Sequence, residues 1–212
     1  AQFGVSSDSI DVVYNAPASM YAQGTTAERA ADGRFTDGRP YFLFVGSLHP
    51  RKNLNGLLEA FGMYRAEGGT RELLIVGADM WSASETPQDG VHYAGRLGRG
   101  QLAQVMRGAE GLVFVPWFEG FGVPIVEAFA SGVPVIASNT TAMPEVCGGA
   151  AAALVDPANA TEIAAAMQRL EADEALRNRA VEAGLARASD FSWDTSANQL
   201  MASIQTVLAS HA

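Results

Sequence analysis

Glu119 and Glu127 stand with seven residues between them in the stretch EGFGVPIVEA at 119–128. Gly120 and Gly122 flank Phe121, and Pro124 follows. Proline suits the first turn of a helix, where its missing N–H leaves no intrahelical bond unmade. Backbone N–H groups at Gly122 and Val123 then lie at a helix start, ready for an anion or a sugar hydroxyl. Glu127 falls about one turn into that helix, where an ionised carboxylate can accept from two neighbouring hydroxyls. A second stretch, GSLHPRKN at 46–53, places Arg51 and Lys52 before another helix. Cations there oppose the helix dipole, so they do not serve the helix itself. Lys52 is the single lysine among the 14 Lys and Arg residues. The pattern reads as a phosphate clamp; a solvated Arg-Lys pair ahead of an Asn53 cap is the plainer alternative. It is not a P-loop, because no GxxxxGK(S/T) pattern occurs.

The elements that must hold these stretches alternate. Residues 41–45 (YFLFV), 73–76 (LLIV), 91–94, 112–115 (LVFV), 133–137 and 152–155 read as short apolar strands. Residues 53–66, 101–106, 124–130, 161–171, 173–188 and 194–209 read as helices, with Thr161 as a cap. Strands alternating with helices predict an α/β fold: a doubly wound parallel, Rossmann-like sheet with helices on both faces. Such sheets bind ligands at the carboxyl ends of their strands, which is where both stretches fall. Upstream, residues 10–14 (IDVVY) read as a further strand. Residues 15–39 read as a long surface connection, of a length that signals function or a linker.

Composition narrows the classes. The chain has 212 residues, 48% hydrophobic and 17% charged, enough for one large domain with its own core. No apolar run reaches the ~18–20 residues that span a bilayer. Residues 1–9 carry neither the basic start nor the apolar stretch of a signal peptide. The single cysteine, Cys147, excludes an intramolecular disulfide framework and a multi-thiolate zinc site, and a reducing, cytoplasmic setting is expected. A formal net charge of −9 argues against a nucleic-acid partner. It leaves room for a small anion in a local positive pocket. The two glutamates match a glycosidase pair by count, but their spacing does not oppose two carboxylates, and Arg51 and Lys52 would then have no purpose. Gly95, Gly98 and Gly100 form GxxGxG, not the GxGxxG of dinucleotide-binding oxidoreductases. Met143, Met167, Met201 and Cys147 read as core filling.

The glutamate stretch resembles the paired-glutamate signature of the large fourth family of retaining glycosyltransferases, which carry two facing Rossmann-like domains (the GT-B fold). Its flanks follow in order. VG at 45–46 with PRKN at 50–53 is similar to the family's phosphate loop, and IVG at 75–77 to its second strand and turn. HYAGRL at 92–97 is similar to the segment beside the base. ASGVPVIA at 130–137, MPE at 143–145 and FSW at 191–193 continue the resemblance, which covers nearly the whole chain from Ile10.

The resemblance implies the donor-binding, carboxyl-terminal half of a hexosyltransferase. The donor would be a GDP- or UDP-linked sugar, with mannose suggested by the PRKN form. The acceptor would be a glycan or lipid-linked glycan of cell-surface polysaccharide synthesis. By the same resemblance Glu119 contacts the donor sugar and acts in catalysis with Arg51 and Lys52, which bind the diphosphate. Glu127 holds the ribose, Gly122 and Val123 offer backbone donors, and the base lies near Arg96 and Leu97. Gly46, Ser47, Gly77, Gly120 and Phe121 complete the donor site. No metal and no cofactor beyond the substrate are implied. Ser47 departs from the family, where many members carry Arg; either Arg51 serves both roles or the phosphates are held more weakly. The implied organisation is a crossing segment and linker at 1–40, the nucleotide-sugar domain at 41–190 and a carboxyl-terminal helix at 191–212. An amino-terminal acceptor domain is the expected partner, and through it the full protein would touch a membrane peripherally. None of His49, His92 or His211 takes the part of the histidine supplied by that half. A nucleotide-binding module without activity of its own is the alternative for this stretch of chain.

Glu127→Gln should weaken ribonucleotide binding by about 1.5–3 kcal/mol, the range of a charged hydrogen bond, and narrow the preference over 2′-deoxyribonucleotides. Glu119→Gln is expected to impair the intact sugar nucleotide and leave the bare diphosphate nearly unaffected. Calorimetric titration measures both; a wild-type ribo-to-deoxyribo ratio in Glu127→Gln removes the ribose assignment.

Overall fold

Six strands form one sheet in the computed structural model, which describes residues 4, 6, 9–24, 33–78 and 88–210. They are β1 (Tyr41–Val45), β2 (Glu72–Val76), β3 (Val91–Gly95), β4 (Gly111–Phe114), β5 (Val135–Ser138) and β6 (Ala153–Val155). The order is β3-β2-β1-β4-β5-β6, and every pair is parallel. The helices are α1 (Leu54–Ala66), α2 (Arg99–Gly108), α3 (Val123–Ala130), α4 (Met143–Cys147), α5 (Ala160–Ala172), α6 (Glu174–Ala188) and α7 (Trp193–Ser210). This is the doubly wound, Rossmann-like arrangement expected from the alternating pattern. No helix among the described residues is long and apolar enough to cross a membrane.

Continuous apolar strands arise because both faces of the sheet are covered. Successive side chains of β1 alternate between two cores: Leu43 and Val45 enter one, Phe42 and Phe44 the other. The first core is closed by α2, α3 and α4, through Val105, Ile125 and Cys147 among others. The second is closed by α1 and α5, through Leu57, Phe61 and Met167. The edges are less covered: every residue of β3 is at least partly exposed, and Leu154 of β6 is exposed. Helix α6 lies close on α3, where a Cβ at Gly184 would meet the Phe129 ring at 2.7 Å.

Several expectations are corrected. Residues 10–14 form no strand. A strand needs a partner edge for its N–H and C=O groups, and this segment pairs with none; Ile10 and Val12 are more than half exposed. Tyr14 instead packs its ring against Phe121 and Phe191, each with centroids 5.9 Å away. The fifth strand begins at Val135 rather than 133, because Val133 N–H bonds back to Ala128 O at the end of α3. The cap of α5 is Asn159, whose side chain accepts from Glu162 N at 3.1 Å, not Thr161. Helix α4 carried no clear periodicity and was not anticipated. Met143, Met167 and Cys147 are fully buried, whereas Met201 is 53% exposed on α7. Parts of the 1–40 assignment (1–3, 5, 7, 8 and 25–32) and His211 lie outside the described residues.

Gly77 shows how tightly the strand ends approach. A Cβ there would lie 1.7 Å from the Gly46 carbonyl oxygen, and the backbones are laced by Gly46 N to Val76 O and Gly77 N to Gly95 O, both 3.0 Å. Gly77→Ala forces backbone apart and should destabilise by about 3 kcal/mol or more. Gly100→Ala, where an added Cβ meets nothing within 4 Å, should be neutral or stabilising, since Ala is the better helix former. Urea denaturation midpoints of the two variants test the contrast.

Candidate functional site

Strands β1 and β4 are neighbours in the centre of the sheet although α1, β2, β3 and α2 lie between them in sequence. Phe42 pairs with Gly111 and Leu43 with Leu112, in parallel, so both strands end on the same side. From there the chain turns to opposite faces: α1 enters the second core and α3 the first. The loops 46–53 and 115–122 therefore open side by side at the point where the strand order reverses, the position at which such sheets bind ligands.

Residue by residue, the first loop is built to present its cations. Pro50–Lys52 forms one 3₁₀ turn, capped by His49 Nδ1 accepting from Arg51 N at 3.1 Å. Asn53 then takes a left-handed backbone (φ 57°), a conformation that Asn tolerates. Its side chain does not cap α1, as the plainer reading of the sequence had it. Buried, its Nδ2 donates to Val115 O (3.1 Å) and Pro157 O (2.8 Å). Asn53 thus ties the β1 loop to the β4 and β6 loops, and Trp117 N donates to Arg51 O at 2.9 Å to complete the seam. Sequence reasoning missed this positioning role; the tolerance of Asn for left-handed turns was the only available signal. Lys52 is buried, its ammonium 4.8 Å from the centre of the Phe114 ring and its stem against Gly46.

The second loop meets the first through Glu119. Its Oε2 accepts from Arg51 Nη1 at 2.9 Å and from Lys52 Nζ. Its Oε1 accepts from Gly120 N at 3.2 Å, and Arg51 Nη1 also donates to Phe118 O at 3.2 Å. Burial pushes the Glu119 carboxyl up, but the bonds and charges of Lys52 and Arg51 outweigh it and hold it below the ordinary carboxylate range. Gly122 is required as glycine: φ is +94°, and a Cβ would meet Met143 Cε at 2.9 Å. At Gly120 an added Cβ would meet nothing. The Phe121 ring is taken up in packing between Tyr14 and Phe191 (5.9 and 5.7 Å), so its side chain anchors the loop. Trp117 and Phe118 are exposed.

Glu127 belongs to a second grouping on α3. Burial raises its carboxyl to about 7, against the lowering effect of a hydrogen bond from Tyr21, a buried residue of the segment before β1. Arg107 Nη1 holds the neighbouring Met20 O at 3.0 Å. Ser47 follows Gly46 half-buried; Arg96 stands exposed beyond β3, and Leu97 packs against the first core. The structure thus joins Arg51, Lys52 and Glu119 in direct contact and stacks Gly46 on Gly77. It gives Glu127 a different neighbour, Tyr21, which the sequence did not point to.

With this geometry in hand, similarity to known proteins is informative. A family model described as glycosyl transferases group 1 matches residues 26–187. O-antigen chain mannosyltransferase B of Escherichia coli is 34% identical over 168 residues, covering 75% of this chain and 44% of that protein. MMP alpha-(1->4)-mannosyltransferase of Mycolicibacterium hassiacum is 33% identical over 169 residues, 76% of this chain and 41% of that protein. The chain spans about half the length of the curated relatives it matches. Among solved structures, Anabaena HepE in complex with UDP-glucose superposes with a TM-score of 0.84 at 17% identity, over 97% of this chain and 60% of that one. The C-terminal domain of the group 1 protein LpcC from Francisella tularensis superposes with a TM-score of 0.66 at 20% identity, over 81% of this chain and 95% of that one.

The raised Glu127 value has a consequence for stability. Its folded value of about 7 lies above the ordinary 4.5, so between these the folded state binds more protons than the unfolded one. Stability contributed by Glu127 is present below about 4.5 and is lost as pH rises through about 7. Denaturation between pH 4.5 and 7.5 should show a downward slope in wild type that is shallower in Glu127→Gln; equal slopes would refute the assignment.

Proposed function

Because the chain belongs to the glycosyl transferases group 1 family, we propose that it is the donor-binding half of a retaining hexosyltransferase, which holds a nucleoside-diphosphate sugar across the carboxyl ends of β1 and β4. The observation that carries the reading is the meeting of Arg51 and Lys52 with Glu119 beside the first turn of α3. Breaking a glycosyl–phosphate bond releases a diphosphate carrying two to three negative charges. Fixed cations and helix-start amides stabilise that developing charge without reorganising, and this is the main catalytic task. Arg51 and Lys52 take the phosphates, Glu119 the sugar hydroxyls and Glu127 the ribose diol. The Gly122 and Val123 amides lie at the helix start, and Arg96 and Leu97 flank the base. Gly46, Ser47 and Gly77 form the floor on which the phosphates rest. No metal is needed in this scheme.

Mannose is favoured as the sugar by the two relatives named as mannosyltransferases, and a nucleotide-sugar donor by the complex of the HepE structure with UDP-glucose. The acceptor, a glycan or lipid-linked glycan, belongs to a second domain of comparable size. The apolar stripe left exposed on α7 (Trp193, Leu200, Met201, Ile204 and Leu208) together with Ile10 and Val12 supports such a packing partner. The share of the relatives' length that this chain leaves unmatched supplies it. This stretch alone then binds nucleotide and transfers no sugar.

Arg51→Ala and Lys52→Ala should each weaken binding of GDP or UDP while leaving the bare nucleoside unchanged. The buried Lys52 should lose most, up to about a hundredfold, as a desolvated charge-assisted bond is removed. Arg51, 42% exposed in its side chain, is screened and should lose about tenfold or less. Equal losses for nucleoside and diphosphate would place these residues away from the phosphates, and sugar transfer by this chain alone would overturn the half-enzyme reading.

A further inference from the structure

Both cations assigned to the diphosphate are already engaged. Glu119 Oε2 bridges Arg51 Nη1 (2.9 Å) and Lys52 Nζ, and its Oε1 accepts from Gly120 N. The remaining N–H of Arg51 Nη1 goes to Phe118 O at 3.2 Å. An anion approaching this corner meets a net charge of one positive unit, not two, and must share both cations with Glu119. The carboxylate is nonetheless placed where it can leave. It rides on an exposed loop between Phe118, 63% exposed, and Gly120, where even an added Cβ would meet nothing.

We propose that Glu119 is a displaceable counter-ion that makes the site select the intact sugar nucleotide over the free nucleoside diphosphate, an inference that rests on the donor site proposed above. A diphosphate that takes Arg51 and Lys52 strips Glu119 of its two cationic partners, leaving a partly buried carboxylate beside new negative charge, which is unfavourable. A donor sugar supplies hydroxyl donors to that same carboxylate and restores its hydrogen bonds. The free diphosphate brings no such donors. It must also compete with Glu119 as the carboxylate returns to the cations, so the diphosphate product is weakened relative to the substrate. Before a ligand arrives, the same ion triangle offsets the repulsion between the two adjacent cations.

This reverses the expectation that Glu119→Gln leaves the bare diphosphate unaffected. Removing the charge should tighten GDP or UDP by about three- to tenfold, the order expected when partly screened ion pairs no longer compete. Binding of guanosine or uridine should not change, and GDP-mannose or UDP-glucose should weaken, so that the preference for sugar nucleotide narrows or inverts. Raised salt should shrink the tightening. Glu119→Ala, which deletes the carboxylate, should tighten the diphosphate as well; its thermal melt and that of Glu119→Gln confirm folding. Calorimetric titration of wild type, both Glu119 variants and Arg51→Ala separates the outcomes. If Arg51→Ala weakens the diphosphate but neither Glu119 variant tightens it, the counter-ion role is overturned and the donor site stands. If neither GDP nor UDP binds wild type or any variant, the donor site falls and the counter-ion role with it.

Discussion

Everything at the mouth of this fold depends on the parallel pairing of β1 with β4. The pairing is short, Phe42 with Gly111 and Leu43 with Leu112, but it brings together two loops that lie far apart in sequence. Because α1 and α3 leave to opposite faces, neither helix covers the seam. The crevice is thus a result of chain direction and needs no special side chain to hold it open. What side chains add is tightness: Gly77 lets β2 press against the Gly46 carbonyl, and buried Asn53 bonds the loops after β4 and β6 to its own.

The two glutamates share a loop-helix unit and are driven in opposite directions. Glu119 is held ionised by two cations that outweigh its burial. Glu127 has burial as its leading influence and a single hydroxyl partner, Tyr21, so its carboxyl rises to about 7. The first is held in its charged form below the ordinary carboxylate range; the second changes charge near neutrality. The difference follows from which groups reach each of them, since both are the same residue type in one loop-helix unit.

Charge at the other end of the sheet is treated differently. Glu72, 1% exposed, sits between Arg39 Nη1 and His92 Nε2, each at 2.9 Å. Glu171 accepts from Thr70 and from the Tyr64 hydroxyl, and Arg71 pairs with Glu110 at 2.9 Å. These groups close the amino ends of the strands and join the α1–β2 turn to the body of the fold. At the carboxyl ends the paired groups instead lie on loops with exposed neighbours, Trp117 and Phe118 among them.

Local chemistry determines the architecture. Apolar runs of four or five residues between amphipathic stretches suffice for the six strands and for every helix but α4. Glu119, Glu127, Arg51 and Lys52 stood out by type and spacing because helix starts and turn glycines are short-range features. The tertiary structure alone decided which of them touch. That Glu119 pairs with both cations of the β1 loop depends on β1 lying beside β4, a contact across 67 and 68 positions of chain. That Asn53 spans three loops and that Tyr21 reaches Glu127 rest on the same long-range pairing. Residues 10–14 have the composition of a strand, yet whether such a segment pairs depends on a free sheet edge in reach, and none takes it. A sequence carries the preference of each segment; only the closed fold determines which groups are left facing one another, and so which charges are held and which remain exchangeable.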